Sequence, residues 1–193
     1  WAQQGSNTMK NERLVFDQTV EGLFVRALGS RLTPALKLQL KQAWLDLDKR
    51  LMPAYPVDVW ERCVGIAARS LHPDQPESEA FRLVGEQHIQ GYSETMLGRA
   101  LFGVARLLNP RRRLARVRQN FRAGNNYQEA LITDVGPGEV DMWLNERGML
   151  RHFKHGIVLG SARCAGDLNM KADLRHFDDE GVTFRITWTE VKP

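Results

Sequence analysis

The sequence lacks long apolar runs and contains few cysteines. No apolar stretch reaches the ~18–20 residues that a membrane-spanning helix needs, and no signal peptide is visible, so we expect a cytoplasmic protein without a membrane span. The two cysteines, Cys63 and Cys164, lie far apart and form no Cys-x-x-Cys pair. We interpret both as reduced, buried thiols, with a structural disulfide as the alternative.

The signatures of several enzyme and metal-binding classes are also absent. The chain has no P-loop and no Gly-x-Gly-x-x-Gly after a predicted strand, and neither Ser93 nor Ser161 lies in a Gly-x-Ser-x-Gly elbow. A zinc site needs three or four converging ligands. His152, His155 and His176 have no cysteine near them and are interpreted as solvated surface residues. We therefore predict no catalytic residue, no metal site and no cofactor.

The composition that is present is typical of an ordinary globular protein, since 42% of the 193 residues are apolar and 26% are charged. This length suits one domain. Residues 1–8 are interpreted as left over from expression, with Met9 as the natural start, and 9–193 as a single α+β domain. We expect an N-terminal helical bundle over 14–122, packed on a C-terminal antiparallel β-β-α-β-β sheet over 126–191.

Apolar residues recur at helical spacing through the first 122 residues. The first helix is predicted to be capped by Asp17 and to stop at Gly29. The second begins at Thr33-Pro34, a cap followed by proline in the first turn, and carries its apolar stripe through Trp44 to Leu47. After an extended break at 53–56, the next two predicted helices end at His72-Pro73 and at Gly91-Tyr92-Ser93.

The segment Thr95–Leu108 is apolar over about half of its circumference, which predicts a central helix that touches several neighbours. Gly98 and Gly103 within it each cost about 1 kcal/mol relative to alanine, so they indicate close approach of another helix or of a ligand. Arg99 and Arg106 lie on the opposite side of this helix.

A cluster of positive charge follows. The segment Asn109–Arg122 contains six arginines and no acid. Its charge of +6 is larger than the net charge of +4 on the whole chain. One helix capped by Asn109-Pro110 is predicted here, docked on the core through Leu114, Val117 and Phe121. The candidate partner-binding residues on its outer side are Arg111, Arg112, Arg118 and Arg122.

Four interpretations of these arginines stay open. They bind an acidic protein partner, nucleic-acid phosphates or anionic lipid, or they form a solvated face neutralised within the fold by Glu12, Asp17 and Glu21. Nucleic acid is disfavoured because no helix-turn-helix signature accompanies the arginines and only Phe121 and Tyr127 are aromatic nearby.

After Gly124 the apolar period changes from helical to two. Segments 127–134 and 139–145 flank Val135-Gly136-Pro137-Gly138 and predict a β-hairpin. A short helix is expected over Gly156–Cys164. Two alternating segments then predict two strands, with Trp188 on the inward face of the second: Leu168, Met170, Ala172 and Leu174, followed by Val182, Phe184, Ile186 and Trp188.

Seven segments carry a resemblance to a known family: Gln18–Leu28, Leu51–Pro56, Trp60–Cys63, Gly91-Tyr92, Gly98–Ala100, Asn120–Tyr127 and Trp143–Glu146. They resemble a myxobacterial paralogous family of uncharacterised proteins. The resemblance runs from Leu14 to Trp188. It implies family membership and brings no activity with it.

The layout resembles a second, more distant group. Helices followed by β-β-α-β-β are similar to haem–nitric-oxide-binding domains and to 4-vinyl-reductase-type ligand-binding domains, which implies a pocket between the helices and the sheet. In the haem family a Tyr-x-Ser-x-Arg motif binds the haem propionates and a helical histidine ligates the iron. The corresponding stretch here is Trp143-x-Asn145-x-Arg147, and no histidine lies between residues 89 and 151. We therefore expect no haem.

His88 lies among apolar residues and is interpreted as a buried histidine that hydrogen-bonds a neighbour, with a ligand-contacting or acid–base role as the alternative. The candidate residues for a ligand pocket are His88, Tyr92, Arg99, Trp143, Asn145 and Arg147. We predict a non-catalytic ligand-sensing or protein-interaction module that can dimerise through its N-terminal helices. The alternatives are a small-molecule enzyme that uses the pocket and a nucleic-acid-binding protein that uses helix 110–122.

Overall fold

The computed structural model of the chain describes residues 12–189, so the segment 1–8 lies outside the described residues. Between residues 12 and 189, no helix is long and apolar enough to cross a membrane. The elements in chain order are β1 (Leu14–Phe16), α1 (Asp17–Val20, continued by a π-helical segment Glu21–Ala27), a 3₁₀ turn (Gly29–Arg31), α2 (Pro34–Gln42), β2 (Ala54–Pro56), α3 (Val57–Leu71), α4 (Glu77–Tyr92), α5 (Met96–Ala105), α6 (Pro110–Leu114), α7 (Val117–Arg122), β3 (Ala130–Gly136), β4 (Glu139–Leu144), α8 (Leu150–Cys164), β5 (Lys171–Phe177) and β6 (Val182–Thr187).

An apolar core joins α1, α3, α4 and α8. Near its centre Trp60 of α3 makes edge-to-face contacts with Phe24 and Phe153, with ring centroids 6.0 and 5.7 Å apart. Such aromatic pairs contribute about 0.5–1.5 kcal/mol beyond the burial of their area. These contacts connect the first helix to α8, which comes after the hairpin in the sequence.

Helices α4 and α8 touch through glycines. A Cβ at Gly85 would overlap the carbonyl group of Phe153, and a Cβ at Gly156 would overlap that of Arg82. Because both side chains are only hydrogen, the two backbones approach to direct contact. This contact places His88 of α4 beside Phe153 of α8, with ring centroids 5.5 Å apart.

The four C-terminal strands form an antiparallel sheet in the order β3-β4-β6-β5. Alternate residues of the two central strands are buried, and Met142 of β4 lies opposite Phe184 of β6. Val158 of α8 joins this second apolar cluster, so α8 covers the inner face of the sheet. The α+β fold predicted from the sequence, a helical bundle followed by a β-β-α-β-β sheet, is confirmed.

A two-stranded ribbon that the sequence did not predict joins the start of the described chain to the break at 53–56. β1 pairs antiparallel with β2, with Val15 opposite Tyr55, and Val15 also bridges to Asn125. Each strand is three residues long. Such strands are too short to display the period-two alternation on which a strand prediction rests.

Three helix boundaries differ from the predicted ones. α1 begins at Asp17 itself, with Phe16 in the capping position. α2 ends at Gln42, because Trp44 adopts a left-handed backbone conformation (φ 76°) and its side chain is 75% exposed. α8 begins at Leu150, before the predicted start at Gly156, and is therefore longer than expected by more than one turn.

Two side chains near the sheet differ in burial from the prediction. His155 is half-buried rather than solvated, since a ring nitrogen lies 2.6 Å from the carbonyl of Ala172 and the ring stacks on Phe184. Trp188 follows the end of β6 and is half-buried, with the guanidinium of Arg111 5.7 Å from its ring centre. It does not share the full burial of Phe184.

The segment predicted as a central helix is a peripheral one, so that prediction is wrong. Of the ten residues of α5, Gly98 alone is buried. A Cβ at Gly98 would overlap the carbonyl of Tyr92, as close approach requires, whereas a Cβ at Gly103 would meet no atom within 4 Å. A wide apolar arc shows that a helix can be covered on several sides, but it does not show that the fold covers it.

Candidate functional site

A cavity of about 170 Å³ lies where the helices meet the sheet. Its wall is built by α1, α4, α5, α6, α7, α8 and β4 with the loops beside them, and most of the side chains that line it are apolar. The apolar side chains in the wall include those of Phe102, Val117, Phe121, Met142, Val158 and Ala162. The pocket that the layout resemblance implies between helices and sheet is therefore present.

His88 lies in the cavity wall and is 3% exposed. Its ring stacks on Tyr92, which also lines the cavity, with centroids 5.7 Å apart, and meets Trp60 edge-on at 6.0 Å. Burial lowers the pKa of His88 to about 3, and the positive charge of Lys154 adds to the shift. Nδ1 is buried and has no hydrogen-bond partner among residues 12–189, so the expected bond to a neighbour is not found at that atom.

Lys154 is a buried lysine in the same wall that the sequence analysis did not single out. Its Nζ lies 3.6 Å from Oε2 of Glu146, which is also buried, and 4.9 Å from the centre of the Phe121 ring. Burial lowers the pKa of Lys154, and the carboxylate of Glu146 opposes this shift. The sequence spacing could have identified Lys154 as a buried residue, because it lies four residues after Leu150 and four before Val158. These positions share the apolar face of α8.

Glu146 connects the cavity to polar side chains nearer the surface. Its Oε1 lies 3.9 Å from Arg13, whose guanidinium lies 4.1 Å from the centre of the Tyr127 ring. Burial raises the pKa of Glu61, and the negative charge of Glu146 raises it further. Glu146 therefore has one cation on each side, Arg13 toward solvent and Lys154 toward the cavity.

Three other polar side chains of the wall, those of Asn125, Thr19 and Arg113, are bonded to the protein itself. The Oδ1 of Asn125 accepts hydrogen bonds from the backbone N–H groups of Tyr127 and Gln128, and the hydroxyl of Thr19 donates to the carbonyl of Gly124. Arg113 donates to the carbonyl of Ala165 and pairs with Asp167. Buried His88 and Lys154, by contrast, have polar atoms with bonding capacity left for a ligand.

Four predicted pocket residues lie outside the cavity wall. The side chain of Asn145 is fully occupied, since its Oδ1 accepts from Gln128 and from the backbone of Glu129 and its Nδ2 donates to the carbonyl of Tyr127. Trp143 of β4 lies on the face of the sheet away from the cavity, with its indole ring against Gly181. Arg99 and Arg147 are exposed. Of the six candidates, the structure brings together His88 and Tyr92.

The predicted arginine-rich helix is two short helices, α6 and α7, and three of its four candidate arginines pair with acids of the fold. Arg111 pairs with Asp134, and both Arg118 and Arg122 pair with Glu129. The acids proposed from the sequence as neutralising groups are not the ones used. Within residues 12–189, Arg112 has no acidic partner.

The cysteines and histidines form no further reactive site. Burial raises the pKa of Cys63 to about 12 and also raises that of Cys164, so neither thiol is activated. Both are free, and Cys63 is buried as predicted whereas Cys164 is half-buried. In the described part of the chain no three His, Cys, Asp or Glu side chains converge as metal ligands would.

Comparison with known proteins identifies the family. Residues 13–189 match the family described as "Protein of unknown function (DUF2378)". The chain belongs to this family. No curated protein matches the sequence. The membership predicted from the seven resembling segments is confirmed, while the myxobacterial origin stays a prediction.

Solved structures with a similar fold include H-NOX proteins. One, described as a doubly substituted Tt H-NOX, superimposes with a TM-score of 0.66 at 17% identity, and the match covers 91% of this chain and 98% of the other. An oxygen-binding H-NOX domain related to soluble guanylate cyclases gives 0.64 at 17%, with 91% and 96% covered. A variant from T. tengcongensis gives 0.63 at 16%, with 89% and 96% covered. At these identities the likeness shows a shared fold.

The residues of this chain do not fit a haem. A cavity of about 170 Å³ is smaller than the ~300–1,000 Å³ of pockets for drug-sized ligands, and a porphyrin is a large ligand of that class. The positions that correspond to the propionate-binding motif point elsewhere, since Asn145 is occupied by backbone groups and Arg147 is exposed. Lys154 and Phe121, and not Asn145 or Arg147, line the cavity between the helices and the sheet.

Proposed function

We propose that this protein is a ligand-sensing module that binds a small, mainly apolar molecule in the cavity between its helices and its sheet. The observation that carries the proposal is the cavity itself, about 170 Å³, with the unpartnered His88 and the buried Lys154 in its wall. An engineered apolar cavity of ~150 Å³ in another protein binds benzene. The volume therefore suits a single-ring molecule or a short branched chain.

Two buried polar residues of the wall, Lys154 and His88, define the chemistry of the ligand. The Nζ of Lys154 is beyond hydrogen-bond length from Glu146 at 3.6 Å, so it can donate to an oxygen acceptor of the ligand. His88 is neutral above pH ~4 because burial depresses its pKa, and it offers a ring nitrogen without adding charge. We infer a ligand with one hydroxyl, carbonyl or carboxylate group on an otherwise apolar body.

A non-catalytic role is the simpler proposal for this site. Acid–base or nucleophilic catalysis requires a reactive group held by a second group within hydrogen-bond reach. In the described part of the chain, 12–189, His88 has no such orienting partner at Nδ1, and the cysteine thiols have raised pKa values. The free thiols at Cys63 and Cys164 also support our proposal of a reducing, cytoplasmic location.

The first test is native mass spectrometry of freshly purified protein, which reports a retained small molecule and the stoichiometry together. The second is thermal unfolding with indole or phenol as the probe. We expect saturating probe to raise the unfolding midpoint, because a ligand at 100-fold its Kd adds about 2.7 kcal/mol of stability. Ala162→Leu, which fills the cavity, should abolish this rise.

The matched control is Ala35→Leu, which makes the same change at an exposed position of α2. It should leave the response to the probe intact. An equal response in the Ala162→Leu protein would mean that the probe binds elsewhere, and the absence of any response in the wild-type protein would contradict the proposal.

A further inference from the structure

The outer face of α5 is apolar, and no residue between 12 and 189 covers it. Met96 is 77% exposed, Val104 46% and Leu107, in the turn that follows the helix, 85%. Ala100 and Gly103 are exposed between them. The spacings of three and four residues place all five on one face of the helix, and this face is called the α5 stripe below.

The packing of the fold does not explain the α5 stripe. The opposite face of α5 already supplies the contacts that hold the helix in place, through Gly98 against Tyr92 and through Leu101 and Phe102 at the cavity. A helix with only one covered face normally carries polar residues on the other. A contiguous exposed apolar face on a soluble domain marks an interaction surface.

The charge around the α5 stripe has one sign. Residues 95–128 contain eight arginines and no aspartate or glutamate. Four of the eight pair with Glu129, Asp134 or Asp167. The other four have no acidic partner among residues 12–189 and are Arg99, Arg106, Arg112 and Arg116. Arg99 and Arg106 lie seven residues apart on one flank of the stripe and donate only to backbone carbonyls.

We propose that the α5 stripe is the docking site for an acidic amphipathic helix of a partner protein. The apolar face of that helix covers the stripe, and carboxylates spaced one heptad apart on its edge pair with Arg99 and Arg106. An amphipathic helix that docks on an apolar surface presents anchors at i, i+3, i+4 and i+7. The surface does not need the cavity ligand, so the proposal goes beyond the proposed function.

The centre of the stripe favours a helix over a membrane surface. Ala100 and Gly103 are small, and a Cβ at Gly103 would meet nothing within 4 Å, so the backbone of a second helix can approach closely there. Helices that lie on lipid carry bulky aromatic or leucine side chains across their apolar face, whereas the centre here is nearly flat. A second copy of this chain is disfavoured because it would bring Arg99 and Arg106 of both copies together.

The test uses two synthetic helical peptides and the full chain, with binding followed by fluorescence anisotropy. One peptide has leucine and alanine on its apolar face and glutamate at heptad spacing on its flanks; the second has lysine in place of every glutamate. The decisive variant is Gly103→Gln, which blocks close approach yet stabilises α5, since glycine is a poor helix former. Gly103→Ala is its control, and Arg99→Glu with Arg106→Glu tests the flank.

We expect the acidic peptide to bind and the lysine peptide not to bind. Gly103→Gln and the arginine reversal should each weaken binding by about tenfold or more, while Gly103→Ala retains it. No binding of the acidic peptide at about 1 mM would overturn the proposal. Equal binding of the acidic peptide by Gly103→Gln would also overturn it. Two further results would do the same: the wild-type protein binds phosphatidylglycerol vesicles in preference to the peptide and Gly103→Gln reduces this binding, or it forms a dimer in sedimentation that Gly103→Gln dissociates.

Discussion

The Nζ of Lys154 lies 3.6 Å from Oε2 of Glu146, and both side chains are buried. The pair has the cavity on one side and Arg13 on the other. Removing one member leaves an uncompensated buried charge, which typically costs ~3–5 kcal/mol. Replacing both together removes the charge and the need for a partner.

We therefore expect Lys154→Met and Glu146→Gln each to lower the free energy of unfolding by several kcal/mol, with the double variant less destabilised than the sum of the two. Denaturant titrations at neutral pH measure this coupling. The exposed pair Arg62–Asp58 is the comparison, because such pairs contribute only ~0–1 kcal/mol. Simple additivity of Lys154→Met and Glu146→Gln would contradict a buried, coupled pair.

His88 should make the protein less stable in acid. Burial depresses its pKa from 6.5 to about 3, so below pH 6.5 the unfolded chain takes up a proton that the folded chain refuses. This contribution to stability is complete above about pH 6.5 and is lost as the pH falls toward 3, by at most ~1.4 kcal/mol per pH unit. His88→Phe should remove that part of the acid sensitivity. The test compares denaturant midpoints of the two proteins between pH 7 and pH 4; parallel curves would show that His88 titrates normally.

Phe184 and Trp188 should differ in their effect on stability. Phe184 is fully buried at the centre of the sheet, so Phe184→Ala should cost ~3–5 kcal/mol. Trp188 is half-buried beyond the end of β6, so Trp188→Ala should cost clearly less, although its ring is larger. Equilibrium unfolding in urea distinguishes the two. Equal losses would place Trp188 in the core, as its alternation with Val182, Phe184 and Ile186 suggests.

Haem should not bind stoichiometrically despite the shared H-NOX fold. The cavity is too small, and Asn145 and Arg147 do not face it. Addition of haem to the purified protein, followed by gel filtration, should give no Soret absorbance in proportion to protein. A stoichiometric Soret band that disappears in His88→Ala would show that His88 is an iron ligand and that the cavity opens to accept the group.

The sequence predicts the layout well because periodicity reports which face of an element is apolar. The alternation through Val182, Phe184 and Ile186 predicts a strand that the structure contains, and Thr33 caps α2 as its position before Pro34 predicts. The β1–β2 ribbon was missed because three residues carry no period. Trp44 was assigned to α2 because a left-handed residue leaves no mark in a pattern of apolar residues.

The site was predictable only in part. His88 stands out because a histidine among apolar residues is unusual, and it does line the cavity. Lys154 was overlooked because its helix was predicted to start after it, so its place on an apolar face was not visible. The location of α5 could not be read from its own sequence, since an apolar arc that is covered by the fold and one that awaits a partner have the same composition.

The central claim is that the cavity is a ligand site, and a crystal structure of the protein soaked with iodobenzene tests it most directly. We predict one interior anomalous peak for iodine, bounded by Phe102, Met142 and Val158 on the apolar side and by Lys154 on the polar side. The peak should vanish in Ala162→Leu. Crystals that take up iodobenzene only at the surface, or that show the same interior peak in Ala162→Leu, would contradict the account.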